Sequence, residues 1–275
     1  MMKKRPEEET AVVRVDDLSV AYGSFVLMKH IGFSVQKGDI FFITGGSGCG
    51  KSTLLKVLMG LKRPSTGHVF YGDNDFWAAD ELTRMTIKQT TGVLFQSGAL
   101  WSSMTLAENV ALPLEQYTTL DEESITELAH VKLALTGLAG FEDYYPSEIS
   151  GGMRKRAGLA RALALDPTIL FLDEPSAGLD PVSSRHLDDL IVELCDTLGT
   201  TFMIVSHELD SIFSIATKII YLDNQTRTIQ AFGDPRVLRD DPGTAPCVLD
   251  FLTRGSHSKK ESLAKGATTY GLFSS

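Results

Sequence analysis

No stretch of this 275-residue chain approaches the roughly 18–20 uninterrupted apolar residues that a membrane span needs. Its three cysteines, Cys49, Cys195 and Cys247, are an odd number without metal-type spacing, and they point to a reducing cytosol. A basic excess is also missing. The formal charge is −9, which argues against a broad nucleic-acid surface and leaves room only for a local basic site. The run Met1-Met2-Lys3-Lys4-Arg5-Pro6-Glu7-Glu8-Glu9 turns acidic where a signal peptide turns apolar, so no secretory leader is expected. What is plentiful is core: 43% of the residues are hydrophobic, enough for one large α/β domain or a domain with an inserted subdomain.

Against that background, Gly45-Gly46-Ser47-Gly48-Cys49-Gly50-Lys51-Ser52 fits the phosphate-loop pattern G-x-x-x-x-G-K-[ST]. The apolar run Ile40–Ile43 before it reads as a buried strand, and Ser52-Thr53-Leu54 through Met59 reads as a helix ending at Gly60. Strand, glycine-rich loop and helix form the context in which this motif holds a nucleoside triphosphate. Successive backbone N–H groups and the positive end of the helix surround the phosphates. Lys51 then reaches the β- and γ-phosphates, and the Ser52 hydroxyl ligates Mg²⁺. Cys49 reads as a small residue filling the loop, although its place at a helix N-terminus would lower its thiol pKa.

Along the chain, Val12–Val15, Leu18–Tyr22, Ile31–Val35 and Ile40–Ile43 read as short strands, the first ones paired antiparallel. From about Leu100 to Ala164 the pattern is helical, with one apolar face over Asp121–Leu138. Thr168–Leu172 and Thr201–Val205 are continuous apolar strands, as expected of parallel strands covered on both faces, and Asp188–Leu198 is the helix between them. Each core strand closes on polar residues: the phosphate loop after Ile43, Asp173-Glu174 after Leu172, and Ser206-His207 after Val205. Ligands gather beyond the carboxyl ends of such strands.

Ser150-Gly151-Gly152-Met153 opens an Ala/Leu/Arg-rich helix, again a start suited to an anion. With this motif the chain resembles the ATP-binding-cassette (ABC) ATPases, whose signature is close to LSGGQ; here it reads ISGGM. The resemblance spans about residues 11–235. It implies an α/β fold, a P-loop NTPase core with an antiparallel β subdomain and an inserted α-helical subdomain at about 97–165. Residues 1–10 and 236–275 are then a tail and a partly disordered extension. The resemblance further implies that Tyr22 stacks on adenine, although an aromatic residue there also packs well in a strand. It places Gln96 in the loop joining Mg²⁺ to the transporter interface, makes Asp173 an Mg²⁺ residue and has Glu174 polarise the attacking water. Ser176 and Asp180 belong to a loop crossing a dimer interface, and His207 contacts the γ-phosphate.

Two copies are implied, because Ser150 through Met153 of one would face the ATP of the other. Met153 departs from the signature, since a thioether lacks the hydrogen bonds of glutamine. The stretch from Phe95 through Val110, and Ile149 through Arg156, resemble the ATPases of Mla/Mce-type phospholipid transport systems; importers for other solutes share everything except these details, and a soluble cassette ATPase not tied to transport is the alternative of another class. That resemblance implies integral-membrane permease subunits, a periplasmic MCE-domain lipid-binding protein and a peripheral place on the cytoplasmic face of the inner membrane, with ATP and Mg²⁺ as cofactors and no nucleic acid as partner. Leu100, Trp101 and Met104 could line a groove for a partner helix or belong to the helical core. Val248–Leu252 reads as a short amphipathic helix.

Overall fold

Two β-sheets organise residues 11–253, the part of the chain that the computed structural model describes. The first is antiparallel, in the order β2-β1-β4-β5, from β1 (Ala11–Tyr22), β2 (Phe25–Gln36), β4 (Thr66–Tyr71) and β5 (Asn74–Asp75). The second runs β10-β9-β3-β8-β7-β6. Its strands are β3 (Ile40–Gly45), β6 (Thr91–Leu94), β7 (Ile169–Asp173), β8 (Thr201–Val205), β9 (Lys218–Leu222) and β10 (Ile229–Gly233). All of its pairings are parallel except β10 with β9.

Every residue of β3 is buried. With side chains alternating across a strand, Phe41 and Ile43 join the core shared with the antiparallel sheet, while Ile40 and Phe42 join the core on the opposite face. Helix α1 (Lys51–Leu58) and the antiparallel sheet cover one face; α6 (Pro181–Leu198), α7 (Leu209–Ile215) and the helical run 246–253 cover the other. Between the paired strands β6 and β7 the chain makes a helical excursion: α3 (Leu106–Tyr117), α4 (Glu122–Leu135) and α5 (Gly151–Ala162), around their own core of Leu106, Val110, Leu114, Ala129, Leu133 and Ala157. These helices begin on side-chain caps: Thr105 with Glu108 as a capping box, Asp121 on Ser124 N–H, and Ser150 on Met153 N–H. Helix α2 (Glu81–Gln89) precedes β6, and α8 (Pro235–Asp240) follows β10.

Several expected boundaries are corrected. Val12–Val15 and Leu18–Tyr22 are one strand, because a bulge between Val15 and Leu18 absorbs the polar Asp16-Asp17 pair without ending the ladder. The helix expected from Asp188 begins at Pro181, where Asp180 caps it and proline suits the first helical position. Residues 100–105 are a loop, since the capped α3 starts only at Leu106. The helix expected over Asp121–Leu138 spans Glu122–Leu135 and that after the phosphate loop spans Lys51–Leu58. The expectation at Val248–Leu252 falls within the helical run 246–253, whose Val248, Phe251 and Leu252 are buried on the chain's own core. The expected tail over 1–10 and the part of the expected extension from 254 onward lie outside the described residues. No helix among the described residues is long and apolar enough to cross a membrane.

Candidate active site

The phosphate loop leaves the end of β3 at Gly45 with φ 144°, and a Cβ there would sit 2.2 Å from the Leu222 carbonyl oxygen, so only glycine fits against β9. Gly50, at φ 101°, starts α1 without a side-chain cap, which leaves the first N–H groups of the helix available to a ligand. The Lys51 ammonium folds back onto the Gly45 and Gly46 carbonyls at 3.0 and 3.1 Å. A cavity of about 960 Å³ opens over this loop, lined by Gly45–Gly48, Gly50, Lys51, Ser52 and Thr53. Tyr22, Gln96, Glu174 and His207 line the same cavity. Residues spread over 185 positions of sequence (22 to 207) thus meet at one place.

Asp173 ends β7 and accepts a hydrogen bond from the Ser52 hydroxyl at 3.0 Å. Glu174 follows at φ +48°, a strained conformation for a side chain with a Cβ. One of its carboxylate oxygens meets His207 Nδ1 at 3.0 Å; the other, Oε2, is buried with no protein partner. A buried, unpartnered carboxylate oxygen is costly unless a water, cation or ligand completes it. Ser52, Asp173, Gln96 and Glu174 supply oxygen donors of the kind a hard cation takes. Among the described residues no group of three or more His, Cys, Asp or Glu could hold a metal unaided.

Tyr22 and Phe25 pair across the β1–β2 hairpin, and both reach the cavity half-exposed. The Lys62 ammonium lies 3.9 Å from the Tyr22 ring centre and the Arg227 guanidinium 5.0 Å from that of Phe25. The sequence reading does not include Phe25; its place directly after the two-residue turn Gly23-Ser24, which returns the chain beside Tyr22, is the available signal.

Cys49 corrects an expectation. Its thiol is buried against the core rather than facing the cavity, and burial raises its pKa against the opposing charge of Lys51. Its location at the helix start does not make it a reactive thiolate.

Ser150, Gly151, Gly152 and Met153 do not join this cavity. They form the start of α5, with Ser150 and Gly151 exposed, Ser150 Oγ accepting from Met153 N–H at 3.2 Å, and Met153 packed against the helical core. The loop at Ser176–Asp180 runs beside them: a Cβ on Gly152 would lie 3.5 Å from Ser183, and one on Gly151 4.0 Å from Leu179. Asp180 accepts from the Ser183 hydroxyl, Ser183 N–H and Val182 N–H, bonds that hold its carboxyl below the usual range. Ser176 is buried.

The segment after Gln96 divides between the two readings of it. Trp101 is 61% exposed, whereas Leu100 packs against the helical core. Buried Asn109 pins the loop: its amide donates to the Trp101, Met104 and Thr105 carbonyls and accepts from Trp101 N–H at 2.7 Å. Beside it lies a second, mainly apolar cleft of about 310 Å³, with Met85, Phe95, Pro113, Tyr117 and Leu165 in its walls.

The ABC transporter family profile matches residues 28–177. The chain is 37% identical over 247 residues to the intermembrane phospholipid transport system ATP-binding protein MlaF of Escherichia coli K12, covering 87% of this chain and 92% of MlaF. It is 42% identical over 198 residues to the probable ribonucleotide transport ATP-binding protein mkl of Mycobacterium tuberculosis H37Rv, covering 72% of this chain. The chain thus spans about 55% of the length of that mycobacterial relative. Among solved structures, cbiO1 of Clostridium perfringens, part of the ABC transporter complex cbiONQ, superposes with a TM-score of 0.78 at 26% identity over 92% of this chain and all of that one. The dimeric post-hydrolysis state of the ATP-binding cassette MJ0796, bound to ADP and Pi, gives 0.72 at 26% identity, covering 81% of this chain and 98% of that one.

Proposed function

This chain belongs to the ABC transporter family, and on that premise we propose that it is the ATP-hydrolysing subunit of a phospholipid transporter. The observation that carries the reading is the buried, unpartnered Glu174 Oε2, set at the mouth of the phosphate loop with His207 on the other oxygen. Glu174 takes the proton of the attacking water, and His207 orients it and faces the γ-phosphate. Lys51 exchanges its two carbonyl partners for the β- and γ-phosphates, and Tyr22 with Phe25 borders the base. When bound, Mg²⁺ neutralises charge on the phosphates; Ser52, Asp173 and Gln96 are the residues that would hold it.

Ser150 through Met153 stand outside their own cavity, so they serve the site of a second copy, and the active form is a homodimer with two equivalent sites. The dimeric MJ0796 cassette supports this arrangement. We infer that a permease segment docks at the apolar cleft walled by Phe95, Pro113 and Tyr117, and that the chain sits peripherally on the cytoplasmic face of the inner membrane. The phospholipid reading, and with it an MCE-type lipid-binding partner, rests on MlaF, matched over 92% of its length, rather than on mkl, matched over 55%.

Glu174→Gln tests the proposal. The variant should bind ATP, lose turnover by about 10²–10⁴-fold and accumulate as an ATP-bound dimer on size exclusion. Pulled from detergent-solubilised membranes in that state, it should bring a permease and phospholipid with it. Turnover near that of the parent chain would remove Glu174 from its role, and a permease accompanied by a soluble solute-binding protein would overturn the cargo.

A further inference from the structure

Lys155 is a charged residue in the wrong kind of place for a surface helix. It is 6% exposed, in the middle of α5, and burial lowers its pKa even though the charges of Glu174 and Asp173 favour its cation. Among the described residues its ammonium meets no carboxylate. It donates to the Gln96 carbonyl and, at 3.3 Å, to the Glu174 carbonyl. Those two residues are 78 positions apart in sequence, on different strand ends of the second sheet.

The same face of α5 touches the same loop twice more. One turn on, Gly158 lets the helix press against it: a Cβ there would lie 2.8 Å from Leu94 and 3.1 Å from the Gly98 carbonyl oxygen. A further turn on, Arg161 donates to the Gly98 and Ala99 carbonyls at 3.0 and 2.7 Å. Spaced three apart, Lys155, Gly158 and Arg161 form one stripe on the helix. Gly158 and Arg161 fasten the loop to the helix. Lys155 alone also reaches across to the backbone of Glu174, the residue held at φ +48°.

We propose that Lys155 is a positioning residue that ties the Gln96 loop to the Glu174 peptide, so that a shift of that loop under a docked partner moves the Glu174 carboxylate. The inference rests on the catalytic reading of Glu174 given above. An ammonium shared between two carbonyls is short-ranged: moving the loop by about 1 Å lengthens one bond or drags the other peptide with it. A misplacement of that size at a reacting group is worth up to about a hundredfold in rate. The device therefore acts on turnover rather than on nucleotide affinity, whose contacts lie in the phosphate loop.

The test uses the full chain, with phosphate release, ATP titration and thermal unfolding measured on Lys155→Met, Lys155→Arg and Glu174→Gln side by side. Lys155→Met should lower kcat by about tenfold or more while KM for ATP stays within about twofold. Lys155→Arg, which can still donate to both carbonyls, should recover at least about half of the parent turnover. A Lys155→Met kcat within about twofold of the parent would overturn the inference. So would kcat, ATP affinity and thermal stability falling together in both variants, or failure of the methionine variant to fold, since those mark a purely structural lysine. Glu174→Gln separates the two levels: if it still turns over, the reading of the site fails; if it is inactive while Lys155→Met is not, only the tether fails.

Discussion

The loop from Gly45 to Ser52 is held by its own residues, whereas the loop from Gln96 to Thr105 is held by side chains that arrive from outside it. In the first, Gly45 lies against the Leu222 carbonyl of β9, and Lys51 folds onto carbonyls five and six residues away. In the second, Lys155 and Arg161 reach across some 60 positions of sequence to successive carbonyls, and Asn109 closes the far end. A backbone-built cradle has one geometry and presents it unchanged to every phosphate that enters. A loop fastened by long side chains can be shifted as a unit by moving the helices that carry them. The first loop suits a fixed charge and the second suits the transmission of a docking event.

The largest effect that can break this contrast is Gly45→Ala. The added Cβ would lie 2.2 Å from a carbonyl oxygen of the central sheet, with no flexible atom to give way. We expect ATP binding to be abolished and stability to fall by about 3 kcal/mol or more, measured by nucleotide titration and thermal unfolding. If the variant bound ATP like the parent, the cradle would be adaptable and the contrast would lose its first half.

Asn109→Ala is the corresponding change on the other side, and its effect is smaller. It removes four side-chain hydrogen bonds and leaves Trp101 N–H without its acceptor, while the Trp101 and Thr105 carbonyls keep the N–H groups of residues 104 and 109, at a cost of about 1–3 kcal/mol. Here ATP affinity should hold within about twofold, while hydrogen exchange rises across 101–105. Loss of ATP affinity in step with stability would show that the two loops are one unit.

The same contrast explains what the sequence discloses. Residues 45–52 carry a signal because their chemistry is consecutive: a glycine, a lysine and a hydroxyl must follow one another within a single loop. Asp173-Glu174 and His207 stand out because each closes a continuous apolar strand, and parallel pairing of β3, β7 and β8 brings those ends together. Lys155 is hidden by the same logic. In sequence it is the middle of an Arg-Lys-Arg run on an Ala-rich helix, a pattern of solvated faces, and only the tertiary fold turns it onto two distant carbonyls. Phe25 is similarly silent, since its approach to the cavity depends on the hairpin after Tyr22. At α6 the helix start Asp180-Pro181 is legible, but the resemblance of Ser176–Asp180 to an interface loop masks it, and the expected helix starts only at Asp188.

The smallest effect sharpens the contrast by pH. Asp188 lies on α6 near Ser176 and Ser206 and accepts from the Ser211 hydroxyl at 2.7 Å. Burial raises its carboxyl pKa to about 6, helped by the charges of Glu208 and Asp189 and opposed by Ser211. A carboxyl raised in the folded state opposes folding while ionised, so its penalty is fully present above the folded value near 6. It is relieved as pH falls through 6 toward the unfolded value of 3.8. Allowing for its partial exposure, the penalty is on the order of 1 kcal/mol. Asp188→Asn should therefore raise the unfolding temperature at pH 8 by about 2–4 °C. The gap between the variant and the parent should close between pH 7 and 4. Because Asp188 sits behind the Ser176 loop and His207 strand end, this difference should also appear in amide exchange around 176–180 and 205–211 while leaving 96–105 unchanged. A gap independent of pH would mean that Asp188 is held by its hydrogen bond alone, and a pH-dependent change at 96–105 would mean that the two sides of the molecule share one stability.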